Sequence, residues 1–215
     1  MNNELLKRII SSLILFPIAF FFIIKGSFYF NFFTLIVLLI ALYEWHNLSK
    51  NKKYYYPGYL FIFFSFYTFY SLRNETDYFI FLLIIIVCIS TDIGGYVFGK
   101  IIKGPKLTKI SPNKTYSGMI GGFLLSIFIS IIYIDNLNLF KFSYSNKEIE
   151  LNYFVLVFLI SSASQIVDIV ISFFKRKSQF KNTGSIIPGH GGLLDRIDGL
   201  IFAYPFMFIL KEVGL

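Results

Sequence analysis

Apolar runs long enough to cross a bilayer constrain this chain more than any other feature. They occupy about 9–24, 28–45, 55–72, 78–98, 118–134, 151–173 and 197–210, with short polar connections between them. Each is hydrophobic all round, so periodicity does not decide its type. Length does, because roughly 18–20 residues of helix span the hydrocarbon layer. A membrane interior offers backbone polar groups no water, so such runs fold as helices. The chain therefore reads as an all-α, polytopic integral membrane protein with about seven transmembrane helices, the first and last being the shortest. Composition agrees: 56% of the 215 residues are hydrophobic, 28 are phenylalanine, and the mean hydropathy is +0.68. A soluble domain of this length does not need so much apolar surface. No polar stretch is long enough for a second domain and no internal repeat is present. Residues 1–215 thus read as one domain, with N-terminal helices over 1–77 and the charged motifs over 78–215.

Lys7 and Arg8 precede the first run, as in a signal peptide, but no A-x-A-like cleavage site follows. A retained first helix is the expectation. Cys88, the sole cysteine, lies within an apolar run and reads as a small buried hydrophobe. The lysines and arginines are distributed unevenly. Fifteen of the 20 fall before the first run, in the 46–54 and 99–117 loops, or in the 174–196 segment. These lie on one side of a seven-span topology, and the bias places that side, with the N-terminus, in the cytoplasm. The net charge of +8 is then explained by orientation and attraction to anionic lipid, with no nucleic-acid partner.

Acidic residues inside apolar runs are costly and mark functional candidates. Glu44, Asp92 and Asp168 are the three. Asp92 and Asp168 lie roughly 8–9 Å in from the cytoplasmic ends of their runs at 1.5 Å per residue. All three cluster toward one face, which fits a polar cavity facing the cytoplasm better than a transport pathway through the midplane. Ser161, Ser164, Asp168 and Ser172 are spaced to share one helical face. Gly95 with Gly99, and Gly118 with Gly122, form small-xxx-small pairs suited to close helix packing. In Glu44-Trp45-His46 the tryptophan reads as an interfacial anchor, the histidine as a solvated loop residue, and the glutamate as a polar helix end.

Two loops carry the remaining chemistry. KGPKLTKISPNKTYSG, at 103–118, reads as a flexible cationic loop rich in donors, suited to a polyphosphate, although no P-loop spacing occurs. GHGGLLDRIDG, at 189–199, places Asp195 and Asp198 at i,i+3. Together with Asp168 these carboxylates invite Mg2+, which binds through one or two carboxylates plus substrate phosphates. Gly189, Gly191 and Gly192 would let backbone N–H groups meet an anion at a helix N-terminus. His190 could act as ligand, acid/base or hydrogen-bonder. The chemistry indicated is Mg2+-assisted phosphoryl or nucleotidyl transfer at a membrane edge.

The segment SFFKRKSQFKNTGSIIPGHGGLLDRIDG, at 172–199, resembles the C-terminal signature of phosphatidate cytidylyltransferases, or CDP-diacylglycerol synthases: S-x-x-K-R, a K-D pair, then P-G-H-G-G-x-x-D-R-x-D. DIGGYVFGK at 92–100 is similar to the family's D-x-G-A-Y-x-x-G-K, and SPNKTYSGMIGG at 111–122 to its S-P-x-K-T-x-x-G. ALYEWHNL at 41–48 is similar to a stretch common in the family's N-terminal half. The resemblance implies a membrane enzyme that joins CTP and phosphatidate into CDP-diacylglycerol and pyrophosphate. It implies catalytic roles for Asp92, Lys175, Arg176, His190 and Asp198. Substrate binding would fall to Ser111, Lys114, Thr115, Lys181, Gly191, Gly192 and Arg196. Asp168 and Asp195 would hold Mg2+, with a second, monovalent cation beside it. A homodimer in the bacterial inner membrane, with a cytoplasmic active site and membrane lipid as neighbour, is also implied.

The chain departs from the pattern at Asn182, where aspartate is usual after Lys181, at Val167 where glycine is usual, at Ile171 where an acid is common, and at Gly95 in place of alanine. Two other readings share the membrane setting: a CTP-dependent kinase of prenol or dolichol, and a transporter using Asp92 and Asp168 as ion sites.

Overall fold

The computed structural model describes residues 3–76, 78–111, 113–139, 148–180, 182–187, 189 and 191–213; within these, the side chains of 3–9, 12, 136–139 and 148–152 are excluded. Lys181 and His190, two of the expected site residues, lie outside the described set.

Seven helices form where seven apolar runs were read: α1 (Asn3–Lys25), α2 (Ser27–Ser49), α3 (Tyr55–Glu75), α4 (Tyr78–Ile101), α5 (Tyr116–Leu139), α6 (Glu148–Lys177) and α7 (Leu194–Val213). Four helical stretches among the described residues are long and apolar enough to cross a membrane: Ser27–Ser49, Tyr78–Ile101, Tyr116–Asp135 and Tyr153–Lys177. α3 and α7 dilute their apolar content, α3 with tyrosines and Arg73 and α7 with Asp195, Arg196 and Asp198, while α1 carries a shorter apolar stretch, Leu13–Lys25, among the described residues. The four make the chain an integral membrane protein. Leu60, Phe128 and Ile166 illustrate how their faces, and those of α3, turn large apolar side chains outward. In lipid such an outward face costs nothing.

The chain divides into two compact units, one of residues 1–70 with 174–197 and one of 71–173 with 198–215. The first gathers α1, α2 and most of α3 with the connection between α6 and α7. Its core holds Phe30, Ala41, Trp45, Leu48 and Ile62. Trp45 is not an interfacial anchor. It is buried, stands against Tyr54 and Phe174 at ring distances of 6.0 and 5.9 Å, and donates its Nε1–H to the Tyr55 carbonyl at 3.0 Å. Gly58 has no Cβ because the Trp45 ring occupies that space. His46 is likewise no loop residue: it sits half-buried in the last turn of α2, with Nδ1 2.9 Å from the Tyr55 hydroxyl and 3.2 Å from that of Tyr59.

The second unit is built on α4 and α5, held close by glycine. A Cβ on Gly94 would stand 2.5 Å from the Gly121 carbonyl oxygen, and one on Gly118 would stand 2.7 Å from that of Gly95. The small-residue pairs read from the sequence thus do pack the two backbones together, with Gly94 and Gly121 added to them. Phe81, Leu83, Ile84 and Val87 of α4, Val157, Ile160 and Val167 of α6, and Ala203 and Tyr204 of α7 fill this core. Tyr204 donates its hydroxyl to the Phe81 carbonyl at 3.2 Å. Cys88 is buried among them, as expected.

Candidate active site

The motif residues divide between the units. In the second, α4 contributes Asp92, α6 contributes Asp168, α7 contributes Asp198, and the 102–115 connection contributes its lysines. That connection is folded rather than open. Leu107 donates its backbone N–H to Lys114 at 2.7 Å, Tyr116 donates to Pro105 at 3.2 Å, and the Ser117 hydroxyl reaches the Lys103 carbonyl. Lys103 and Gly104 turn the chain with φ of 58° and 116°. Thr115 caps α5 by accepting the Gly118 N–H at 3.1 Å, and Thr108 accepts that of Ser111 at 3.1 Å. The hydroxyls of two residues in the SPNKT motif's surroundings therefore shape the loop.

This fold delivers Lys114 to Asp168, Nζ to Oδ2, at 2.7 Å. Both side chains keep access to solvent, at 25% and 30% exposure. Asp92 is exposed on its helix and Asp198 is buried, accepting the Gly199 N–H at 3.0 Å. The polar stripe of α6 is real but not uniform. Ser161 is buried and shares a 2.8 Å hydrogen bond with Thr91, while Ser164 is buried against Gly199, its hydroxyl without a hydrogen-bond partner among the described residues. Gln165, unremarked in the sequence, reaches the Met119 carbonyl at 3.4 Å.

In the first unit the signature loop folds around two carboxylates. Asp195 accepts the Lys175 ammonium on Oδ1 at 2.9 Å, and on Oδ2 the backbone N–H groups of Thr183 and Gly192 at 2.9 and 3.2 Å. Its side chain is 7% exposed. Glu44, from α2, accepts the Thr183 hydroxyl at 3.0 Å and the backbone N–H groups of Leu193 and Leu194 at 2.8 and 2.9 Å. It is 1% exposed. The N-terminus of α7 is an anion site, as its glycines indicated, but the anions it holds belong to the chain itself. The Gly191 N–H is also engaged, with the Ile187 carbonyl at 3.2 Å, in a small hairpin that needs φ of 76° at Gly189 and 89° at Gly191. Arg176 and Arg196 are exposed.

Glu44 was read as a functional candidate or a polar helix end, and Thr183 was not singled out at all. The signal for Glu44 was present, since a carboxylate buried in an apolar run needs a partner. Its partners lie about 140 to 150 positions away along the chain, which no local pattern reveals. Asp195 and Asp198, expected to face one way, are claimed by different neighbours.

Among the described residues no group of three or more His, Cys, Asp or Glu side chains is close enough to hold a metal by itself. Mg2+ does not require one, because substrate phosphates complete its shell. Asp168 fits this chemistry: it is accessible and already holds one cation, the Lys114 ammonium. Asp195 fits it less well, with three donors on its two oxygens.

The comparisons with known proteins point the same way as the motifs. A model of the cytidylyltransferase family matches residues 6–77 and 61–213. A protein of Rickettsia felis named phosphatidate cytidylyltransferase is 32% identical, over 98% of this chain and 93% of its own length. One of Rickettsia bellii with the same name is 34% identical over 100% and 94%, and one of Staphylococcus haemolyticus is 32% identical over 82% and 68%. With matches that run nearly end to end and include both charged motifs, the chain belongs to the cytidylyltransferase family.

Proposed function

We propose that this protein transfers the cytidylyl group of CTP to phosphatidate, forming CDP-diacylglycerol and pyrophosphate. The observation that carries the reading is the Lys114–Asp168 pair, an accessible cation and anion that joins the 102–115 connection to α6, a helix long and apolar enough to cross a membrane. Such a place suits a soluble nucleotide and a lipid headgroup equally. The relatives named phosphatidate cytidylyltransferase favour this substrate pair over a prenol kinase or a transporter.

In the reaction a phosphatidate phosphate oxygen attacks the α-phosphorus of CTP. The new P–O bond forms as the bond to the β-phosphate oxygen breaks, and pyrophosphate carries that electron pair away. Two anions must approach one another, so cations decide the rate. Lys106, Lys109 and Lys114, on the folded 102–115 connection, supply positive charge for the triphosphate. Lys114 has a second task, since it can exchange its salt bridge to Asp168 for one to a phosphate. Asp168, which already meets one cation, would hold Mg2+ together with the substrate phosphates. The ion, when bound, would offset charge on the phosphates and polarise the α-phosphorus. Arg176 and Arg196, exposed at the end of α6 and the start of α7, add positive charge suited to a phosphate. The 15-to-5 distribution of basic residues supports a cytoplasmic site in a bacterial inner membrane. A homodimer is part of the same reading.

The test is direct: purified protein in detergent with labelled CTP, phosphatidate and Mg2+. Labelled CDP-diacylglycerol supports the proposal. A labelled phospho-prenol from added prenol, or no lipid product in either case, overturns it.

A further inference from the structure

We infer that Glu44 is a positioning residue for the signature loop, acting through Thr183, so that the N-terminal helices control a reaction whose motif residues lie elsewhere. The inference rests on the proposed transfer for its kinetic readout only. Glu44 sits in α2, in the first unit, and among the described residues its donors come from the 183–194 segment: the Thr183 hydroxyl and the Leu193 and Leu194 N–H groups. Burying a carboxylate costs several kcal/mol unless its oxygens are satisfied. Here three donors and the positive end of the α7 dipole satisfy it.

The loop is shaped to this carboxylate. A Cβ on Gly184 would stand 2.6 Å from Glu44 Oε1, and one on Gly192 would stand 2.5 Å from Oε2 and overlap the Thr183 hydroxyl. Two glycines thus close the loop onto one side chain. Thr183 is the pivot, giving its hydroxyl to Glu44 and its backbone N–H to Asp195, which in turn holds Lys175. Moving Glu44 therefore moves the anchor of Asp195 and the ammonium paired with it. Nothing about this arrangement requires Glu44 to touch a substrate, and its burial keeps it from doing so.

Glu44→Gln removes one acceptor at equal volume. Whichever way the amide turns, its NH2 faces a backbone N–H, of Leu193 or Leu194. Thr183→Val deletes the hydroxyl and keeps the shape, and Thr183→Ser restores it. The experiment compares these three with the double variant Glu44→Gln/Thr183→Val, measuring turnover per folded molecule and the rate of limited trypsin cleavage within 175–196. Glu44→Gln should lower kcat by about 10–100-fold, the range seen when a group that orients a functional one is lost, and should speed cleavage. Thr183→Val should do both to a smaller extent, Thr183→Ser should match the wild type, and the double variant should be no worse than Glu44→Gln. Unchanged turnover per folded molecule in Glu44→Gln and Thr183→Val, or cleavage at the wild-type rate in both, would overturn the inference. If the wild type itself makes no CDP-diacylglycerol, the proposed transfer fails and the cleavage rates alone decide the role of Glu44.

Discussion

Lys114–Asp168 and Lys175–Asp195 are ion pairs of nearly equal length, 2.7 and 2.9 Å, in different surroundings. The first joins a loop to α6, is open to solvent on both sides, and has no further donor among the described residues. The second is largely buried, and two backbone N–H groups share the carboxylate with the lysine. Partner exchange in the first costs little, since accessible pairs contribute at most about 1 kcal/mol. Breaking the second strands a buried charge, which costs about 3–5 kcal/mol. The same two residue types are therefore differently placed, one pair open to solvent and to exchange of partners and the other clamped into the loop.

Substitutions that keep volume and remove charge sharpen this contrast. Asp168→Asn is expected to have the largest effect on turnover, a fall of more than about 100-fold, beyond what loss of a supporting group produces. Its melting temperature should stay close to that of the wild type, and a CTP-dependent assay beside a thermal melt would show whether the two separate. Asp195→Asn should add what Asp168→Asn lacks. We expect a loss of about 3 kcal/mol in stability, read as a lower melting temperature in detergent, with turnover per folded molecule falling about 10–100-fold, as for Glu44→Gln and less than for Asp168→Asn.

Glycines offer a second way to break the comparison. Gly192→Ala should destabilise the loop by about 1–3 kcal/mol, as overpacking does, because its Cβ would meet both Thr183 and Glu44. Gly95→Ala, whose Cβ would find its nearest atom at 3.8 Å, should be almost silent. A melt of the two side by side is sufficient. The smallest effect is expected at Asn182, which is exposed beside Gly191. Asn182→Asp should alter stability by less than about 1 kcal/mol and leave the Mg2+ concentration for half-maximal turnover unchanged. A lowered requirement would place the cation on the signature loop instead.

Much of this was legible in the sequence, for physical reasons that differ by residue. Length and apolarity alone located all seven helices, because burial in lipid demands both. Whether a helix crosses was less readable: α3 and α7 have the length, but too much polarity to qualify by composition. The glycines of α4 and α5 were legible because close packing leaves a fixed spacing. Asp168 was legible as a carboxylate in an apolar face. The partnership of Glu44 with Thr183 was not, because it joins segments some 139 positions apart and no periodicity encodes that. Trp45 was misplaced for a related reason. A tryptophan at a helix end is ambiguous until Tyr54, Gly58 and Phe174 are known to enclose it.

The central claim is that the accessible carboxylate of the second unit, and not the clamped one of the first, takes the divalent cation. Mn2+ binding in the presence of CTP, followed by electron paramagnetic resonance on the purified protein, tests it most directly. The account predicts that Asp168→Asn loses the bound Mn2+ signal while folded Asp195→Asn retains it. Retention in Asp168→Asn together with loss in folded Asp195→Asn would contradict it.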